Sequence, residues 1–210
     1  MMLLLLSFTW AAAITQSVGI VGADVITSRE VQMAAVIDKI LGETAANKSK
    51  TLYELQVKDA KFAEVTTTYL LERAAVMESE SFSVGQSKDS ESKEALDQVE
   101  KMTSGKAYWQ SLEPDALTVK KIIFTKLISK NFIKIKSESM AGIVTDNEAQ
   151  TYFERNRLKF GTSTFDTFKA NIKVFLAQQQ KEEKLRSWFE LLKRKYKIRN
   201  LLIESMKAPQ

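Results

Sequence analysis

The sequence predicts a mostly α-helical fold. It should be a multi-helix core with long helices toward its N- and C-terminal ends, and a small β element pairing an N-terminal hairpin with a C-terminal strand. Three observations lead there. Gly and Pro number only seven and two among 210 residues, so sharp turns are few and the elements between them long. Apolar residues recur three or four apart through several long segments, which is the spacing of one helix face. Residues 27–30 and 145–148 both read Thr-x-x-Glu, the form of a capping box that satisfies the free N–H groups of a helix start. Apolar residues are 44% of the chain and charged residues 27%, enough to bury one large core or a core with a small lobe.

Taken in order, residues 1–13 are uncharged and nearly all apolar, and Ala11, Ala12 and Ala13 supply the small residues of a cleavage site. The run is shorter than the roughly 20 residues of a spanning helix, so a cleavable export signal is expected, against a buried helix or an uncleaved anchor. The fold itself then begins near Ile14. Residues 18–22 and 24–26 read as two short strands around a Gly-Ala-Asp turn, with Val and Ile suited to a pleated surface. The first capping box opens a helix ended by Gly42. A second helix is expected over 51–77, carrying Leu52, Leu55, Phe62, Val65, Tyr69, Leu70 and Met77. The Ser-rich stretch 78–92 reads as a loop into a short helix at 93–102, and residues 45–112 are a candidate separate lobe.

Gly105 breaks the chain, and Pro114 is expected in the first turn of the next helix, where its missing N–H costs nothing. That helix alternates Val119, Ile122, Ile123, Phe124, Leu127, Ile128, Phe132, Ile133 and Ile135 with lysines, and Gly142 stops it. The second capping box starts a short helix through Tyr152 and Phe153, closed by Phe160 and Gly161. A long final helix starts near Thr164, and residues 197–203 read as a strand pairing with 18–21.

Composition narrows the chemistry. The chain has no Cys and no His, which excludes thiolate nucleophiles, disulfides, Cys- or His-ligated metals and any triad or dyad built on imidazole. No phosphate-cradling loop, metal-binding loop or internal repeat is present, so no cofactor, catalytic residue or metal ligand is assigned. The net charge is +5, with eight basic and three acidic side chains between residues 181 and 199. Such a run suits an anionic partner, but it equally forms the solvated face and cationic end of a helix. Nucleic acid is not expected as a partner, nor is stable insertion in a membrane.

Several stretches resemble the chaperone core of SurA-type proteins, periplasmic relatives of the parvulin-type prolyl isomerases. The opening Val-Gly-Ile-Val-Gly-Ala-Asp-Val-Ile-Thr-Ser-Arg-Glu-Val (18–31) is similar to that family's first hairpin and helix cap. Gly-Ile-Val-Thr-Asp-Asn-Glu-Ala-Gln-Thr-Tyr-Phe-Glu-Arg-Asn-Arg-Leu-Lys-Phe-Gly (142–161) resembles its V-T-D-x-E…Y-[YF]-x-x-N…F segment. Residues 163–172 and 185–199 look like the start and close of its C-terminal helix and strand.

The resemblance implies a periplasmic holdase that binds unfolded outer-membrane or secreted polypeptides. Isomerase members carry a parvulin domain of about a hundred residues, a usual domain size, at the position of the Phe160-Gly161 junction. Here Gly161 leads almost directly into the last helix, so the resemblance implies the chaperone half without isomerase activity. The alternatives are an unusual prolyl isomerase and a structural or assembly adaptor for one envelope protein. Apolar and aromatic side chains at helix ends or on wide apolar arcs suit a surface that binds extended chains without reading sequence. Tyr108, Trp109, Phe132, Met140, Tyr152 and Phe153 are the client-binding candidates, and ordinary core packing is the competing role for each. Trp188 and Phe189 are expected in the core.

Overall fold

The structure, a computed structural model, describes residues 15–42, 51–82 and 89–207. The expected export signal at 1–13 lies outside them. The chain opens with strands β1 (Ser17–Val21) and β2 (Asp24–Thr27), joined by a turn in which Gly22 takes φ 60°. β1 is the middle strand of a three-stranded antiparallel sheet, flanked by β2 and by β3 (Arg199–Asn200), with Gly19 opposite Asn200 and Ile20 opposite Arg199. Gly19 is required by space: a Cβ there would meet Leu70 Cδ2 at 2.7 Å, so the sheet lies directly on a helix.

That helix is α2 (Phe62–Phe82), and α1 (Ser28–Gly42) precedes it. The N–H of Glu30 donates to Thr27 Oγ1 at 3.2 Å, one half of the expected capping box, while the Glu30 carboxylate accepts the Tyr69 hydroxyl at 2.9 Å. Val31, Ala34, Val36, Ile37 and Ile40 bury several sides of α1, making it the central helix. Then follow α3 (Asp89–Thr103), α4 (Ala107–Ser111), α5 (Ala116–Ser139), α6 (Asp146–Arg155), a 3₁₀ turn (Arg157–Lys159), α7 (Phe165–Lys195) and α8 (Leu201–Lys207).

Five expectations need correction. The second helix begins at Phe62, eleven residues late, because a turn at Gln56–Asp59 and side chains from elsewhere claim the preceding backbone. The Gln56 N–H donates to Asp59 Oδ2 at 2.7 Å, and Leu55 exchanges bonds with the Tyr108 hydroxyl, N–H to oxygen at 3.1 Å and hydroxyl to carbonyl at 2.7 Å. α2 also runs on to Phe82: Ser79 and Ser81 return their hydroxyls to the Val76 and Glu78 carbonyls at 2.7 Å and stay helical. Pro114 precedes the helix it was expected to open, since the Asp115 carboxylate caps α5 by accepting from Thr118 N–H at 2.9 Å.

The C-terminal strand is two residues long, and the rest of 197–203 turns into α8 because Asn200 Oδ1 accepts from Leu202 and Ile203 N–H at 3.1 and 3.3 Å. An asparagine cap thus ends the strand and starts the helix in one step.

The described part of 45–112 does not stand apart as a lobe. Leu55, Phe62, Tyr69, Ala95, Val99 and Trp109 share one cluster with Val18 of β1, Ile37 of α1, Ile122 of α5 and Trp188 and Leu192 of α7. What packs separately is an arm formed by α6 and the first half of α7, where Phe153, Ala149 and Ile172 gather Tyr152, Phe160, Phe165, Phe168 and Leu176. The second capping box is complete at the start of α6. Glu148 N–H donates to Thr145 Oγ1 at 3.2 Å, and Thr145 N–H returns to Glu148 Oε2 at 2.8 Å.

Candidate functional site

Charged groups inside the core are tied to neighbours. Lys126 lies between Glu72 at 2.7 Å and Asp38 at 3.1 Å, with its ammonium 5.8 Å from the Tyr69 ring centre. Burial pushes the Glu72 carboxyl above its ordinary range, and Lys126 only partly opposes it. Arg73 pairs with Asp24 and reaches Thr125. This network cross-braces β2, α1, α2 and α5; Lys126 is held by two carboxylates, and Lys121 lies 3.9 Å from Asp24. Among the described residues no cluster of three or more Asp or Glu is arranged to hold a metal ion.

The apolar surface is more informative, and α7 organises it. At 3.6 residues per turn, Leu185, Trp188 and Leu192 lie within about 40° of Val174 around the helix, while Ile172 lies about 160° away from it. The two halves of α7 therefore bury opposite faces, the first against α6 and the second against the main core. Leu192 is 1% exposed and Trp188 7%, but Val174, on the same face beyond the edge of the core, is 71% exposed. The face that packs into the core thus continues uncovered along the arm.

An aromatic row ends at the surface near the same root. The Trp188 ring meets Phe189 at 4.9 Å and Phe132 edge-on at 6.0 Å, and Phe132 stacks on Phe82 at 6.4 Å. Phe82 is 57% exposed at the end of α2, and Ile135, one turn beyond Phe132, is 44% exposed. Glu78 fastens this corner by accepting from Lys195 Nζ at 2.5 Å and from the Tyr196 hydroxyl at 2.6 Å. Burial would raise its carboxyl, but these two donors hold it below its ordinary range.

The six client-binding candidates fall in three places rather than on one surface. Tyr108 is half-buried and fixes Leu55, and burial raises its phenol above the ordinary value. Its neighbour Trp109 is buried and borders a small pocket of about 220 Å³ between α3 and α5. Phe132 is buried in the aromatic row at the arm root, and half-buried Met140 caps α5 and packs against the main core, its carbonyl accepting from Lys184 at 3.3 Å. Tyr152 and Phe153 belong to the arm's own core, where Phe153 stacks on Phe160 at 4.8 Å and carries the Arg157 guanidinium on its ring.

Trp109, Phe132 and Phe153 are thus core residues in this structure, while the exposed apolar residues Phe82, Ile135 and Val174 were not among the client-binding candidates. For Val174 the signal was present in the sequence: it is out of phase with Phe165, Phe168 and Ile172 but in phase with Leu185 and Trp188. No helix among the described residues is long and apolar enough to cross a membrane. Compared with family models, with curated proteins and with solved structures, the chain finds no match in any of the three.

Proposed function

We propose that this chain is a periplasmic holdase-type chaperone that binds unfolded outer-membrane or secreted polypeptides, without isomerase activity. The observations that carry the reading are the exposed end of the Phe82–Phe132–Trp188 row and, about 21 Å farther along α7 on the same helix face, the uncovered Val174. An extended client presents alternating apolar side chains, and a ledge of exposed aliphatic and aromatic groups covers them without needing a fixed sequence. Neither Cys nor His is present to act on a prolyl peptide as parvulin sites do, and the SurA-type resemblance of residues 18–31 and 142–161 supplies the expectation of export and of the client class.

The test is suppression of aggregation of a urea-denatured outer-membrane β-barrel protein on dilution. The wild-type chain slows aggregation at stoichiometric ratios, and Val174→Asp and Phe82→Asp lose most of that effect with unchanged thermal midpoints. A wild-type chain that leaves aggregation unaltered sinks the proposal. In parallel, the cis–trans rate of an X–Pro peptide should stay flat on adding the protein.

A further inference from the structure

The client ledge is not apolar along its whole length. Val174, Lys181 and Trp188 follow one another on α7 at intervals of seven residues. Each is therefore turned only about 20° from the last and stands about 10 Å farther along the helix axis. Lys181 thus lies midway on the face that runs from exposed Val174 to the aromatic row, and it is half-buried. A lysine in such a place lays its aliphatic stem along the apolar face and leaves its ammonium seeking water or an anion.

Nothing on the same face neutralises that ammonium. Among the described residues Lys181 makes no ion pair, whereas Lys169 and Lys173, on the arm, are both held by Asp146. The side chains one turn away, Ala177, Gln178, Lys184 and Leu185, include a second cation and no acid. Glu182 and Glu183 follow in sequence but lie about 100° and 160° around the axis, and Glu182 accepts from Gln178 at 2.7 Å. At the core end of the face, Glu78 already accepts from Lys195 and Tyr196. Between its two apolar ends the ledge therefore carries an uncompensated positive charge.

We infer that Lys181 sets the specificity of the ledge, selecting extended segments that carry a carboxylate between two apolar side chains. An extended chain rises about 3.3 Å per residue and turns every second side chain to the same face. Six residues span about 20 Å, the distance from Val174 to the level of Trp188, and the same-face positions two and four residues along fall on either side of Lys181. A carboxylate there pairs with the ammonium while the flanking side chains cover the apolar ends; a cationic side chain there is repelled. The inference rests on the client-binding reading and names the class of segment that the ledge prefers.

The probes are three labelled, unstructured twelve-residue peptides, each with Val and Phe six positions apart in a background of Ser. The two same-face positions between them hold Glu in the first peptide, Gln in the second and Lys in the third. Fluorescence anisotropy with the full chain should show the Glu peptide binding about tenfold more tightly than the Lys peptide, with the Gln peptide between them. Lys181→Glu should reverse that order, and Lys181→Met should bring the three affinities together. Lys120→Glu, on the side of α5 that faces α3, should leave the order unchanged. Circular dichroism melts equal to wild type establish that the variants fold, and Lys181→Met, which keeps an apolar stem, carries the test where Lys181→Glu does not. Equal binding of the three peptides to wild type, or an order that survives substitution of Lys181, overturns the inference and leaves the client reading standing. Binding of none overturns it too, and suppression of aggregation then decides the client reading separately.

Discussion

The main core joins residues as distant in the chain as Val18 and Leu192, whereas the arm cluster is drawn from 149–176 alone. The first is largely aliphatic, closes around α1 and is braced by the Lys126 and Arg73 ion pairs. The second is a set of phenyl rings around Phe153 and Phe160, with centroids 4.8–5.7 Å apart where they touch. One cluster needs the whole chain to be assembled, and the other needs only a helical hairpin. Local contacts close at low entropic cost, so the arm is expected to open locally at a lower cost than the core, a difference that amide exchange would read.

The contrast can be broken first at Trp188. Trp188→Ala removes a buried indole from the main core and should cost about 3–5 kcal/mol of global stability, read as a lower midpoint in urea at unchanged slope. Phe153→Ala removes a comparably buried ring from the arm. Here the expected loss is of similar size but local: amides of α6 exchange much faster, and those of α1 keep their protection. If α1 and α6 amides respond together, the two clusters are one cooperative unit and the comparison fails.

A third test lies within the main core, where α2 meets the C-terminal end of α7. Glu78→Gln replaces a charge-assisted bond to Lys195 and should cost about 1–3 kcal/mol at neutral pH. Because the folded state holds Glu78 below the ordinary carboxylate range, its contribution is full above that range and is lost as pH falls through the lowered value. The gap between wild type and Glu78→Gln should therefore close in acid; a gap constant with pH would mean the charge is irrelevant. Glu72 has the opposite sign, since its raised carboxyl favours folding as pH falls. The smallest effect is expected for Thr145→Ala, which removes the α6 cap at a cost of about 1 kcal/mol. It should appear in arm exchange and leave the global midpoint nearly fixed.

The mostly helical architecture and its small antiparallel sheet were legible wherever the deciding contacts are local. The Thr145–Glu148 box is complete within four residues, and the β1–β2 turn is set by Gly22. Misreadings fall where a distant side chain decides. Leu52 and Leu55 have helical spacing, but Tyr108, 53 residues away, holds Leu55 in an irregular segment. Asn200 bonds to Ala63 and Thr67 through its amide nitrogen, at sequence separations of 137 and 133, while its oxygen caps α8. Burial of the candidates is likewise decided at a distance: Phe132, within α5, is enclosed by Phe82 and Trp188, and Phe153, near the end of α6, by Phe160 and Phe165, while Tyr108, Met140 and Tyr152 stay half-buried.

α7 is continuous for 31 residues and belongs to both clusters, so the direction in which the arm points is a matter of phase. One residue inserted between Leu176 and Leu185 would swing the arm by about 100° about the helix axis and advance it by about 1.5 Å. Contacts within each cluster could persist, but the α5–α6 connection at 140–145 and its Lys184–Met140 bond would have to give. A deletion would turn it the other way. The middle of α7 thus works as a dial, on which single insertions and deletions re-aim one surface against the other without redesigning either.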